Sequence, residues 1–73
     1  MIRLIPSNRA IGLFPKNPIT GEPALDMDPE EIKIPLHIGL IFTFTDQSLK
    51  ITQLQTQKSL NGDKDILVWV DLA

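Results

Sequence analysis

The chain has 73 residues, a formal net charge of −2 at pH 7, no cysteine and one histidine. A single core of this size rarely supplies more than ~3–5 kcal/mol of net stability. Disulfides and thiolate metal sites are excluded, so the expected supplement is association with a second copy or another chain, beside a marginal monomeric core.

Charge is unevenly spread. Arg3, Arg9 and Lys16 lie in residues 1–21, and Glu22, Asp26, Asp28, Glu30 and Glu31 crowd into residues 22–31. No basic cluster is large enough to neutralise several phosphates, which disfavours nucleic acid as a partner. Arg3 is followed by only Leu4 and Ile5 before Pro6, so no secretory apolar core follows it. The longest apolar stretch is broken by threonines and Asp46 well short of the ~20 residues a spanning helix needs. A cytoplasmic protein without a membrane partner is expected.

The first half, residues 1–31, holds five of the six prolines. Proline fixes φ and lacks an N–H, so neither a long helix nor a central strand is expected here. Short extended pieces fit at residues 2–5 and at residues 10–14, which read Ala-Ile-Gly-Leu-Phe. Residues 15–23 are dense in turn formers, with a tight turn expected at Thr20-Gly21. Asp28-Pro29-Glu30-Glu31 resembles a helix start: a capping aspartate, proline in the first position, then acids. This half is read as a Pro-rich arm.

The second half, residues 32–73, reads as a three-stranded antiparallel meander. In residues 32–45, Ile32, Ile34, Leu36, Ile38, Leu40, Phe42 and Phe44 alternate with mostly polar or small residues. Such alternation marks a strand with one face in a core. Unbroken, it would run roughly 43–48 Å at ~3.3–3.4 Å per residue. Pro35 and Gly39 are therefore expected bend points. A turn at Asp46-Gln47 would set Phe44 opposite Leu49 and Phe42 opposite Ile51. The second strand, near residues 49–57, loses its alternation between Ile51 and Leu54, which a β-bulge near Gln53 would restore. Asn61-Gly62 is a strong hairpin signal. The third strand, residues 66–72, places Ile66, Val68, Val70 and Leu72 on one face and Leu67, Trp69 and Asp71 on the other.

The fold class expected is all-β: one small domain, a roll or partly open barrel of five strands built on that meander, with the N-terminal arm attached.

Little in the chain points to catalysis. His37 has neither an orienting carboxylate nor further ligands at local spacing, so it reads as a half-exposed strand histidine. No glycine pattern fits a phosphate loop. The Asp26–Glu31 acids lack the turn glycine and late bidentate glutamate of a calcium loop. No enzyme activity, metal or cofactor is expected. Three features suit protein contacts. Leu67 and Trp69 form an apolar outward face, with Trp69 either core filler or interface anchor. Asp26, Asp28, Glu30 and Glu31 form an acidic strip that would dock on a basic surface, or simply a solvated loop. Gln53, Gln55 and Gln57 form an uncharged row that suits an edge strand pairing with a partner.

The function expected is a non-enzymatic protein–protein interaction or assembly module, such as a small structural subunit of a larger viral or phage-like particle, or a homo-oligomer. Two alternatives stay open. One is an inhibitor or adaptor that holds one partner protein through an edge strand or the acidic loop. The other is a small barrel that binds nucleic acid weakly.

Overall fold

The computed structural model describes residues 1–28, 35–58 and 60–73. The chain is all-β: one curled, mixed sheet that forms a half-barrel. Its strands are β1 (Ile2–Pro6), β2 (Leu25–Met27), β3 (Ile41–Phe44), β4 (Gln47–Lys58) and β5 (Lys64–Leu72), in the spatial order β2-β1-β5-β4-β3.

The first half is not an appended arm. Its opening strand is an interior strand of the sheet, parallel to β5, with Ile2 opposite Ile66, Leu4 opposite Val68 and Pro6 opposite Val70. On its other side β1 pairs antiparallel with β2, Ile2 facing Met27 and Leu4 facing Leu25. Pro6 is tolerated because odd-numbered residues of β1 bond to β5, so its missing N–H faces the β2 side, where pairing stops at Leu4. Residues 10–14 are also not extended: Ile11–Leu13 form a single 3-10 turn. The turn carries Ala10 and Phe14 over the sheet's inner face, and Phe14 stacks on Phe44 with ring centroids 4.8 Å apart.

The inner face is the core. Ile2, Leu4, Leu49, Ile51, Val68 and Val70 are buried there with Ala10 and Phe14. β-Branched and aliphatic side chains at every second position of β1, β4 and β5 produce this face, because successive side chains of a strand point to opposite sides.

The long first strand of the alternation is short in the structure. It begins only at Ile41, after a turn in which the Leu40 amide donates to the His37 carbonyl and Gly39 adopts φ +92°. Gly39, one of the two expected bend points, is where the chain breaks. Residues 32–34 and most of the expected helix start, residues 29–31, lie outside the described residues. Consequently His37 is an exposed loop residue rather than a strand residue.

The hairpin register also differs from expectation. Phe42 faces Leu49 and Phe44 faces Gln47, because the two-residue turn is Thr45-Asp46. Both turn residues have positive φ (47° and 65°), the conformation of a type I′ turn that matches strand twist. Moving the turn by one residue slips the pairing by two, so Phe42 and Phe44 still point to the core face. The bulge is where the broken alternation placed it. Ile51 faces Val70 and Gln53 faces Trp69, leaving Thr52 as the extra residue, with its hydroxyl 3.3 Å from the Trp69 carbonyl. A bulge increases local twist, which helps the sheet curl.

Candidate functional site

The outer face of the sheet is the candidate site. Odd-numbered positions of β5 point to it: Asp65, Leu67, Trp69 and Asp71. Strand pairing then sets its rows. Leu67 lies between Arg3 of β1 and Gln55 of β4, and Trp69 lies between Ile5 and Gln53. Asp26 extends the first row across β2, opposite Arg3. Ile5, Leu67 and Trp69 are each half-buried. They form an apolar patch on neighbouring strands, bordered by the amides of Gln53 and Gln55.

One end of the patch is walled by a hairpin-like loop from Lys16 to Pro23. Its geometry follows from Asn17 and Gly21. The Asn17 side-chain oxygen accepts from the Ile19 amide (2.8 Å), and the Gly21 amide donates to the Asn17 carbonyl (2.7 Å). Gly21 has φ +74°, which glycine adopts without the clash a Cβ would cause. The expected turn at Thr20-Gly21 is thus present. Between this loop and the sheet lies a shallow cavity of about 220 Å³, with Arg3, Ile5, Leu67 and Gln57 on the sheet side and Thr20 and Glu22 on the loop side.

Electrostatically the patch is quiet. Arg3 donates from Nε to Asp26 Oδ1 at 2.8 Å and from Nη2 to Oδ2 at 3.2 Å. That hydrogen bond from Arg3 holds the Asp26 carboxyl below its ordinary range, and the same contact raises Arg3. Both groups are exposed, and such pairs contribute only ~0.2–1 kcal/mol. A second carboxylate, Asp71, accepts from the Ser7 hydroxyl and the Leu72 amide, each at 2.7 Å, with Arg9 3.6 Å away. The Ser7 bond first, then the Leu72 bond, lowers its pKa.

The residues read from the sequence therefore have different fates. Leu67 and Trp69 come together on one face, joined by Ile5. Asp26 shares that face, but its charge is met by Arg3 and it is no free acid for a basic partner. Asp28 is exposed beyond the end of β2, and Glu30 and Glu31 lie outside the described residues. Ile5 was missed because its relation to Trp69 depends on pairing 64 residues apart. Its only local signal is that Leu4 and Ile5 are adjacent apolar residues, so β1 is apolar on both faces.

Among the described residues, no three His, Cys, Asp or Glu side chains cluster to hold a metal ion, and no helix is long and apolar enough to cross a membrane. Comparison with protein families, with curated proteins and with solved structures finds no match.

Proposed function

We propose that the chain is a non-enzymatic protein-interaction module that binds a partner protein through the outer face of its sheet. The observation that carries this reading is the placement of Ile5, Leu67 and Trp69 side by side on that face, next to a shallow cavity. The core is already filled on the opposite face by a separate set of side chains. A tryptophan in a small apolar patch bordered by the Gln53 and Gln55 amides and the paired Arg3 and Asp26, with the Glu22 carboxylate at the cavity rim, has the composition of a binding hot spot. The fitting partner presents an apolar side chain to the cavity and polar backbone to the surrounding amides. Two of the three phenylalanines, Phe14 and Phe44, stack on each other against the core, which leaves few aromatics for stacking on bases.

The test is Trp69→Ala. Expected is an unchanged circular dichroism spectrum and a loss of affinity of about 30-fold or more for whatever protein the wild type captures from its native source, the scale of a ~2 kcal/mol hot spot. Unfolding of the isolated variant would make Trp69 core, and undiminished capture would remove the outer face from the interaction. Light scattering on the purified protein then separates an assembly subunit, which forms a defined oligomer, from an inhibitor or adaptor, which binds one partner as a monomer.

A further inference from the structure

Strand β4 outruns its neighbour on one side. Paired with β5 from Leu49 to Lys58, it meets β3 only over Gln47–Lys50. The loop before β3 adds two bonds at Ile51: the Gly39 amide donates to the Ile51 carbonyl (2.8 Å), and the Ile51 amide donates to the Leu40 carbonyl (2.9 Å). Among the described residues, nothing pairs with that side of the backbone from Thr52 to Lys58.

Open strand edges are normally defended by lysines, prolines, bulges or a covering segment. Residues 52–57 read Thr-Gln-Leu-Gln-Thr-Gln, with no charge and no proline, and the first charge is Lys58. The bulge at Thr52 lies at the start of the open window and leaves the rest regular. Apart from half-buried Leu54, every side chain from Thr52 to Lys58 is exposed.

We propose that this edge pairs antiparallel with the same edge of a second copy, about a two-fold axis through Gln55. The window is centred on Gln55, so the register that uses all of it sets Thr52 opposite Lys58, Gln53 opposite Gln57, Leu54 opposite Thr56 and Gln55 opposite itself. Opposed residues in a continuous sheet share a face. This register satisfies that rule, because Gln53, Gln55 and Gln57 share the face of Trp69, Leu67 and Asp65, whereas Leu54 and Thr56 share the face of Val68 and Ile66. In an isologous contact every charge also meets the pattern of its own copy. Here Lys58 meets Thr52, so no like charges face each other. A second copy therefore fits the window without repulsion, whereas a charged peptide finds only Lys58, at one end, to complement it. Glutamine amides from both copies line the seam, where they can form a hydrogen-bonded ladder. The product is a ten-stranded sheet. Seven residues per copy make a seam smaller than the ~1,200 Å² of stable interfaces, so the dimer is reversible and concentration-dependent.

This proposal rests on the backbone edge of β4 and stands without the outer-face patch, although the side chains of Gln53 and Gln55 border both. Because the chain has no cysteine, single cysteines report the register cleanly. Under mild oxidation Gln55→Cys is expected to form a disulfide dimer on the order of ten-fold faster than Asp46→Cys, an exposed control at the β3–β4 turn, owing to the higher effective concentration at the axis. A mixture of Gln53→Cys and Gln57→Cys is expected to cross-link faster than either alone. Gln55→Lys sets two like charges opposite each other and should abolish the dimer in sedimentation equilibrium while leaving circular dichroism unchanged; Trp69→Ala should leave the dimer intact. The proposal is overturned if the wild type sediments as a monomer up to about 1 mM, or if Gln55→Cys cross-links no faster than the control. Amide protection of residues 52–58 that does not vary with protein concentration would also overturn it, since the edge would then be closed within one chain.

Discussion

Thr45 occupies a backbone conformation that suits it poorly. At φ 47° it is the first residue of the two-residue turn between β3 and β4, followed by Asp46 at φ 65°. Left-handed geometry costs an L-residue about 1–2 kcal/mol, and a β-branched side chain sits at the unfavourable end. Aspartate is one of the residues that tolerate it, so the strain is concentrated at Thr45. Replacing Thr45 by glycine removes the clash, but the unfolded chain gains freedom worth ~0.4–1 kcal/mol against folding. The net expectation is a stabilisation of ~0.5–1 kcal/mol. For a domain of this size that raises the melting temperature by roughly 2–8 °C. Thr45→Asn should match it, since asparagine accepts the conformation without the glycine entropy. Thr43→Gly, two residues earlier on the extended β3, should have the opposite sign, because there glycine only weakens a strand. Urea and thermal melts followed by circular dichroism measure all three. If Thr45→Gly destabilises the protein as much as Thr43→Gly does, the turn is not type I′ and the assigned hairpin register is wrong.

Leu49→Ala removes a fully buried side chain between β3 and β5. Such deletions cost ~2–5 kcal/mol, comparable with the whole stability of a domain this small. The variant should be largely unfolded at 25 °C by near-ultraviolet circular dichroism, and a cooperative melt within a few degrees of wild type would contradict the core assignment. The pH dependence follows from Asp71 and Asp26, whose pKa values are lowered in the folded state by Ser7 with Leu72 and by Arg3, respectively. A carboxylate with a lowered folded pKa stabilises the fold above its unfolded pKa of about 3.9, and that contribution is lost as pH falls through the folded value. Stability should therefore be flat near neutrality and decline below about pH 4, with a shallower decline in Asp71→Asn. An unchanged acid limb in that variant would show that Asp71 titrates alike in both states.

The parts of the fold that sequence revealed are those set by neighbours along the chain. Period-two alternation marked Phe42 with Phe44 and Val68 with Val70, and the lapse between Ile51 and Leu54 placed the bulge. Asp46 belongs to both candidate turns, so composition could not decide between Thr45-Asp46 and Asp46-Gln47. Residues 10–14 are too few for a period to separate an extended run from a 3-10 turn. The position of β1 was hidden for a different reason. Its partner is 64 residues away, and the five prolines of the first half suggested a chain lying outside the sheet, although Pro6 needs only a place where its backbone nitrogen faces no partner strand. The candidate site divides in the same way. Leu67 and Trp69 were visible as the second apolar face of β5, whereas Ile5 became part of the site only through parallel pairing.

That parallel pairing also shapes how the chain reaches its final form. Hairpins β3–β4 and β4–β5 close short loops and can form early, but joining β1 to β5 ties off a loop of about sixty residues, with an entropic cost near ~4 kcal/mol. β1 is therefore expected to arrive late, and until it does Val68 and Val70 would lack the β1 neighbours Leu4 and Pro6. Capture of the opening strand by the closing one is the expected slow step of folding, and a half-built sheet waiting for it would be the species most exposed to aggregation.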